Sequence, residues 1–260
     1  MSSSPKLKSC NNERRNPNSQ LHTLFISDLH LSARHPNSAK LFSSFSRNIA
    51  PDAGALYILG DLFEYWAGDD DLEDTFHQDV AQALQRISAA GTQLFIMHGN
   101  RDFLISNKFA SACSAVLLPD PVLINLYGVP TLISHGDQLC TDDTDYQAYR
   151  KQVHEPAWQE QFLALPLAQR KSFITQLRMR SEDEKQLKSQ LIMDVNDAAV
   201  AELLRSHDYP RLIHGHTHRP GHAVHHLDGR TCERWVLGDW DNNPNALRCD
   251  INGLTWLDKW

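Results

Sequence analysis

Short apolar runs recur along this chain, and most of them end at residues whose side chains can bind a metal or a phosphate. The run 24–26 is followed by Asp28 and His30, and the run 56–59 is followed by Asp61. Runs of this length, bounded by glycine and polar turns, predict buried strands, and ligands of α/β proteins gather beyond the carboxyl ends of such strands. The chain is therefore predicted to fold as an α/β protein with its chemistry at one edge of a sheet. Further runs lie at 94–97, 131–133, 212–213 and 235–237.

Helical periodicity separates the first three predicted strands. Residues 38–45 form one amphipathic segment, and residues 79–90 form a longer one. Strands that alternate with helices are typical of parallel sheets. The first third of the chain is thus predicted to be a βαβαβ unit.

Residues from about 146 to 206 break this rhythm, because they are rich in Gln, Lys, Arg and Glu and contain helical runs at 167–180 and 197–204. We predict a helical insertion that forms a lid over the site. The run 170–180 has an apolar face with basic residues around it. It either rests among lipid headgroups or covers a protein core as an ordinary amphipathic helix does.

The length and charge of the chain limit the classes of protein to consider. With 260 residues, it fits one large domain carrying an insertion, predicted over 21–260, and the net charge of −7 argues against nucleic acid as a partner. Five scattered cysteines without a C-x-x-C pair indicate a reducing, cytoplasmic setting. The polar composition of residues 1–20 predicts a disordered extension. No apolar stretch approaches the roughly 18–20 residues needed to cross a bilayer.

Seven residues that follow the apolar runs carry donors that divalent metals bind. Asp28 and His30 stand two apart, as do His216 and His218, and Asp61 is the natural bridging carboxylate. A single Asp after Gly is usually a turn residue, so the prediction depends on the whole ordered set. That set is Asp28, His30, Asp61, Asn100, His135, His216 and His218.

Oxygen and imidazole donors without a thiolate suit manganese, iron or zinc better than a closed structural zinc site. Seven donors are enough for two ions. A pair of ions can activate water and stabilise both the attacking and the leaving oxygen in phosphoester hydrolysis. The chain is therefore interpreted as a hydrolase.

In their order and spacing, these residues resemble the motifs of the calcineurin-like metallophosphoesterase family. The resemblance covers about residues 21–242 and rests on the motifs at 28–30, 60–61, 99–102, 135–137 and 215–218. It implies a four-layer α/β fold in which two packed β-sheets are flanked by helices. It also implies that Asp28, His30, Asp61 and His218 hold one ion, while Asp61, Asn100, His135 and His216 hold the other.

Arg101 stands where the family usually has a catalytic histidine, and in this the chain is similar to one branch of the family. Members of that branch use manganese to hydrolyse UDP-2,3-diacylglucosamine to UMP and 2,3-diacylglucosamine 1-phosphate in lipid A biosynthesis. The resemblance implies two Mn²⁺ ions, water attack at the uridylyl phosphorus, and peripheral association with the cytoplasmic face of the inner membrane. It implies catalytic roles for Asn100 and Arg101. The residues implied for substrate binding are Asn100, Arg101, Asp143, Ser181, Lys185, Lys188 and His216.

The departure at Arg101 has a chemical rationale. A phosphate leaving group needs a proton less than an alkoxide does, and a guanidinium can neutralise its charge through a fixed fork of donors. Arg101 is therefore predicted to act on turnover rather than on metal binding.

Several alternatives remain open at this stage. Several apolar residues of the insertion either contact the acyl chains of the lipid or form the insertion's own core: Phe162, Leu163, Phe173, Ile174, Leu177 and Met179. The same two interpretations apply to Trp66, near the predicted metal ligands. Alternative functions are a soluble nucleotide pyrophosphatase or phosphodiesterase of the same superfamily and a non-catalytic scaffold. The histidines at 222, 225 and 226 are assigned to a surface hairpin rather than to metal.

Overall fold

The computed structural model describes residues 22–187, 194–241 and 244–257. The predicted extension, 1–20, lies outside these residues. The strands are β1 (Thr23–Ile26), β2 (Ala55–Leu59), β3 (Gln93–Met97), β4 (Ala115–Leu118), β5 (Val122–Leu126), β6 (Val129–Ser134), β7 (Arg211–His214), β8 (Gly221–Leu227), β9 (Arg230–Val236), β10 (Ala246–Asp250) and β11 (Gly253–Leu257). The α-helices are α1 (Pro36–Asn48), α2 (Thr75–Ala89), α3 (Asn107–Cys113), α4 (Thr144–Val153), α5 (Pro156–Leu163), α6 (Leu167–Leu187) and α7 (Asp197–Ser206).

The strands form two mixed sheets, ordered β11-β10-β1-β2-β3-β4 and β5-β6-β7-β9-β8. Strands β1 to β4 run parallel to one another, which confirms the pairing predicted for the first three. In the second sheet, β6, β7 and β9 are parallel. Parallel strands finish at one edge of their sheet, so the loops that follow them are brought side by side.

Alternation along the strands places each sheet between two apolar layers. On β1, Leu24 and Ile26 pack with α1 and α2, whereas Phe25 packs between the sheets. In the second sheet, Leu132 and Leu212 pack against α7 on the outer face. Helices therefore cover both outer faces, and the predicted four-layer fold is confirmed.

The stretch predicted to be an insertion holds α4, α5, α6 and α7. Helix α6 begins at the predicted residue but continues seven residues beyond the predicted end, to Leu187.

Helix α2 begins at Thr75 rather than at 79, because the carboxylate of Asp74 accepts a hydrogen bond from the Phe76 N–H at 2.9 Å and caps the helix. Among the described helices, none combines the length and the apolar character that a membrane crossing requires.

Strands β4, β5, β10 and β11 were not predicted from the sequence. In β10 and β11 a polar residue interrupts the apolar run, whereas β4 and β5 contain the apolar runs 115–118 and 122–124 but are mostly only partly buried. Strand β8 carries His222, His225 and His226 and pairs with β9 as an antiparallel hairpin at the edge of the second sheet. The hairpin assignment of these histidines is confirmed.

Candidate metal centre

The loops after β1, β2, β3, β6 and β7 bring all seven predicted ligands into one cluster. Asp28 and His30 follow β1, Asp61 follows β2, and Asn100 follows β3, whereas His135 follows β6 and the pair His216 and His218 follows β7. Their side chains form a continuous series of contacts across the two sheets. All seven residues are at least partly shielded from solvent, and three are almost completely buried: Asp28, Asp61 and His135.

The backbone in these loops is unusual. Five of the seven residues have positive φ angles: Asp28 (54°), His30 (48°), Asp61 (51°), His216 (70°) and His218 (56°). This left-handed region is uncommon outside glycine, although Asp and His enter it more readily than most residues. Such conformations persist only when neighbouring structure enforces them, and they concentrate at functional sites.

Hydrogen bonds between the loops enforce this backbone. The Asp28 N–H donates to the Gly60 carbonyl at 3.2 Å, and the His30 N–H donates to the Asp61 carbonyl at 3.0 Å. The His216 N–H donates to Oδ2 of Asp28 at 2.8 Å, which ties the second sheet to the first. A β-carbon at Gly99 would overlap the Asp61 carboxylate, so only glycine permits this approach of the loops.

One candidate ion position lies among Asp28, His30 and His218, whose ligand atoms are within 4.8 Å of one another. The Nε2 atoms of His30 and His218 are 3.1 Å apart, and Nε2 of His218 is 3.4 Å from Oδ1 of Asp28. That carboxylate oxygen is buried and has no hydrogen-bond partner. A buried, unpartnered carboxylate oxygen facing two imidazole nitrogens fits a divalent cation.

A second position lies among Asp28, Asp61 and His135, again within 4.8 Å. The amide oxygen of Asn100 joins it, at 3.1 Å from Nε2 of His135 and 3.0 Å from Nδ1 of His216. Oδ1 of Asp61 lies 3.9 Å from Nε2 of His135, and its Oδ2 lies 3.9 Å from Nε2 of His30. Asp61 thus faces both positions, as a bridging ligand must.

The electrostatics of the cluster favour a positive charge. Burial alone would lower the pKa of His135, but the carboxylates of Asp61, Asp137 and Asp28 raise it to about 9. Burial and the proximity of His135 lower the pKa of His216 to about 3, so that this imidazole is neutral. A divalent cation would supply the positive charge that the carboxylates favour, while neutral His216 offers a lone pair.

Asp102 holds two of the ligand loops together, a role not foreseen from the sequence although the residue stands in the motif at 99–102. Its buried carboxylate accepts hydrogen bonds from the N–H groups of Leu62 and Gly99, both at 2.8 Å, and a longer one from Asp61 at 3.3 Å. Burial, and then the charge of Asp61, raise the pKa of Asp102 to about 6. The loops after β2 and β3 are therefore joined through one side chain.

Helix α4 also reaches the centre, through residues that no sequence signal marked. The Tyr146 ring stacks on the His216 ring with their centroids 5.9 Å apart. The Tyr146 hydroxyl donates to Oδ2 of Asp137 at 2.6 Å, and Nε of Arg150 donates to the same oxygen at 2.7 Å. Asp137 thereby connects the loop after β6 to the lid.

Glu64 is a further neighbour that the sequence did not indicate. Its Oε2 lies 3.2 Å from Nδ1 of His30, and its Oε1 contacts the guanidinium of Arg178 on α6. Burial alone would raise the pKa of Glu64, but the adjacent imidazole of His30 and the charges of Arg101 and Arg178 lower it to about 2. Glu64 is thus an anion between a predicted ligand and the lid.

The residues predicted to contact the substrate lie in different parts of the structure. Arg101 is partly exposed beside the cluster, and its N–H donates to Oδ1 of Asp61 at 2.8 Å. Asp143 caps α4 by accepting a hydrogen bond from the Tyr146 N–H at 3.1 Å. Ser181 and Lys185 belong to the last turns of α6, whereas Lys188 lies outside the described residues.

A family model for calcineurin-like phosphoesterases matches residues 21–220, so the chain belongs to the calcineurin-like phosphoesterase family. With the clustered donors described above, this makes it a hydrolase that depends on divalent metal ions. Relatives named UDP-2,3-diacylglucosamine hydrolase match most of its length. The one from Aromatoleum aromaticum is 54% identical, over 88% of this chain and 94% of its own. The one from Cellvibrio japonicus is 45% identical, over 92% of this chain and 99% of its own.

Among solved structures, an archaeal phosphodiesterase covers 91% of this chain and 99% of its own at 12% identity, with a TM-score of 0.46. A Vps29 protein from Entamoeba histolytica, determined with zinc, covers 91% of this chain at 14% identity, with a TM-score of 0.43. These likenesses are weak, and the family assignment rests on the match over 21–220.

Proposed function

We propose that this chain hydrolyses UDP-2,3-diacylglucosamine to UMP and 2,3-diacylglucosamine 1-phosphate, a step of lipid A biosynthesis. The observation that carries the proposal is the convergence of Asn100, His135 and His216 beside Asp61, with Arg101 as the next residue after Asn100. The relatives bearing the corresponding name span nearly the whole chain. Family membership supports the reaction class, and these relatives support the substrate.

The proposed metal is Mn²⁺, with two ions per chain. One ion would be held by Asp28, His30, Asp61 and His218, and the other by Asp61, Asn100, His135 and His216. Ions of this kind polarise phosphoryl oxygens and activate water for attack on phosphorus. Within the described residues, the buried unpartnered oxygen of Asp28 and the absence of thiolate from both donor groups support such hard cations.

Arg101 and Asn100 are proposed as the catalytic side chains. The backbone of Arg101 is fixed on both sides, because its N–H donates to Asp61 at 2.8 Å and its carbonyl accepts from the Trp66 N–H at 3.1 Å. Because this backbone is fixed, the Arg101 side chain starts beside the cluster, and its guanidinium can bind the leaving phosphate. We also propose Asp143, Ser181, Lys185, Lys188 and His216 as contacts to the sugar phosphate.

The lid is proposed to contact both the acyl chains and the cytoplasmic face of the inner membrane. Phe162 and Ile174 pack into the core beneath the lid. In contrast, Leu163, Leu165 and Phe173 are 40–42% exposed. These apolar residues of α5, α6 and the turn between them suit a lipid surface.

Release of UMP from UDP-2,3-diacylglucosamine by metal-stripped protein, with and without Mn²⁺, tests the proposal. UDP-N-acetylglucosamine and a chromogenic phosphodiester serve as substrates without acyl chains. Mn²⁺-dependent release that strongly favours the acylated substrate is expected. Equal turnover of the three substrates would instead indicate a general nucleotide pyrophosphatase or phosphodiesterase, and no turnover with any metal would indicate a scaffold.

Sedimentation with vesicles tests the membrane contact separately. Vesicles of phosphatidylethanolamine and phosphatidylglycerol should retain the protein, and the double variant Leu163→Ser/Phe173→Ser should be retained less. Replacing the exposed Ile251, which belongs to neither α5 nor α6, provides a matched control. Equal retention of all three proteins would contradict the contact.

A further inference from the structure

Glu64 divides its two carboxylate oxygens between the metal cluster and the lid. Oε2 lies 3.2 Å from Nδ1 of His30, whose opposite nitrogen, Nε2, faces His218 at 3.1 Å. Oε1 contacts the guanidinium of Arg178 on α6. The side chain of Glu64 is only 9% exposed, so both contacts are largely shielded from water.

A carboxylate beside Nδ1 has a defined effect on a histidine that binds metal through Nε2. It accepts the Nδ1 hydrogen, which leaves the Nε2 lone pair free for the metal, and it fixes the plane of the ring. Glu64 is well placed to do this, because the backbone around it is also fixed. Its N–H donates to the Leu31 carbonyl at 3.1 Å, and the Leu31 N–H donates to the Leu62 carbonyl at 2.9 Å.

Helix α6 is fastened to this same segment by two further cations. The Arg170 guanidinium pairs with Asp70 and also donates to the Ala67 carbonyl. Nζ of Lys171 lies 2.5 Å from Oδ1 of Asp71. Lys171 and Arg178 are seven residues, about two turns, apart and so share one face of the helix. These contacts bind α6 to the loop that begins with Asp61.

We propose that Glu64 is a positioning residue for His30 and that Arg178 holds Glu64 in place, so that docking of α6 and metal binding at His30 strengthen each other. This inference rests on the proposed function only in taking His30 as a metal ligand. Coupling between two sites is reciprocal. Metal binding should therefore tighten α6 to the same extent that α6 tightens metal binding.

Titration of Mn²⁺ into the metal-stripped full chain by isothermal calorimetry tests the first half of the coupling. Glu64→Gln should weaken one of the two binding events by roughly 10–100-fold and leave the other unchanged, since second partners of metal-bound histidines have effects of this size. Arg178→Met should weaken the same event by a smaller factor, and Arg178→Lys should restore part of the loss. Arg205→Met is the matched control, because it removes an ion pair of α7, with Asp228, that does not hold α6, and it should leave both events unchanged.

Hydrogen exchange of the α6 amides tests the second half. Mn²⁺ should slow exchange over 170–178 in the wild type and have a smaller effect in Glu64→Gln. Thermal unfolding followed by circular dichroism shows that the compared variants are folded. Wild-type Mn²⁺ affinity in both Glu64→Gln and Arg178→Met would overturn the coupling.

The outcomes also separate this inference from the proposed function. If wild-type protein releases UMP but Glu64→Gln binds both ions normally, the coupling is wrong and the function stands. If metal affinity depends on Glu64 but no UMP is released, the function is wrong and the coupling stands. A wild-type chain that binds no Mn²⁺ overturns the coupling whatever its activity.

Discussion

The ligand loops and the lid helices meet at one site but are held in different ways. The loops are fixed mainly through the backbone: N–H groups of the loops after β2 and β3 converge on Asp102, and five ligand residues have enforced positive φ angles. The helices α4 and α6 are fixed through the tips of long side chains, such as Tyr146, Arg150 and Arg178. Backbone contacts suit atoms that have to stay within coordination distance, whereas side-chain contacts can be released and remade as a bulky substrate enters.

The largest effect is expected from a substitution that removes the charge of a predicted metal ligand but keeps the backbone contacts of the loops. Asp61→Asn keeps the size of the side chain but removes the charge that faces both ion positions. Because metal ions supply several kcal/mol of charge stabilisation, turnover should fall roughly 10³-fold. UMP release and metal content by mass spectrometry should fall together, while circular dichroism remains that of the wild type. Full metal content would contradict the bridging role.

A smaller loss is expected when the loop framework and the metals are kept but one exposed side chain is removed. Arg101→Ala should lower kcat roughly 10²-fold, the cost typical of deleting one stabilising donor at a reacting group. Metal content should not change, and Arg101→Lys should recover only part of the rate, because ammonium lacks the guanidinium fork. Loss of metal in Arg101→Ala would contradict the assignment of Arg101 to turnover.

Asp102→Ala breaks the backbone framework itself. It leaves two buried N–H groups, those of Leu62 and Gly99, without their closest acceptor, and each such group costs about 1–3 kcal/mol. Relief of the repulsion between Asp102 and Asp61 offsets part of this, so we expect a net loss of about 2 kcal/mol. Urea unfolding measures it. Asp74→Ala, which removes the α2 cap, is the control and should cost about 1 kcal/mol.

The smallest effect is expected from a substitution that weakens the contact between helix α4 of the lid and the loop after β6. Tyr146→Phe keeps the ring on His216 but removes the hydroxyl that donates to Asp137 at 2.6 Å. One hydrogen bond contributes about 1 kcal/mol, which corresponds to roughly fivefold in kcat/KM. Steady-state kinetics with the acylated substrate should show the loss, and unfolding by urea should show a loss of stability of no more than about 1 kcal/mol. A loss as large as that of Arg101→Ala would show that Tyr146 does more than hold the lid.

The sequence was most informative where the relevant signal is local. Phe25 and its neighbours form a continuous apolar run because β1 is covered on both faces, and Asp28 and His30 follow that run directly. Strands such as β10 and β11 have a polar residue, Arg248 or Thr255, within their apolar run, and their pattern is too weak to be recognised.

Contacts between distant residues were not predictable in the same way. Glu64 is 34 positions from His30, and its contact depends on how the loops after β1 and β2 lie side by side. Tyr146 was placed in the insertion, but its position over His216 follows from the cap of α4 by Asp143 and the hydrogen bond to Asp137. Neither contact has a signature in residue spacing.

The order of the first sheet has a consequence for how the protein matures on the ribosome. Strand β1 lies between β2 and β10, and β10 is made only after all the other strands except β11. Until residue 250 has left the exit tunnel, one side of β1 has no partner and presents free backbone groups to other chains. The strand that leads into Asp28 and His30 is thus among the last to gain both of its neighbouring strands. A chaperone that shields this edge would protect the nascent enzyme from aggregation.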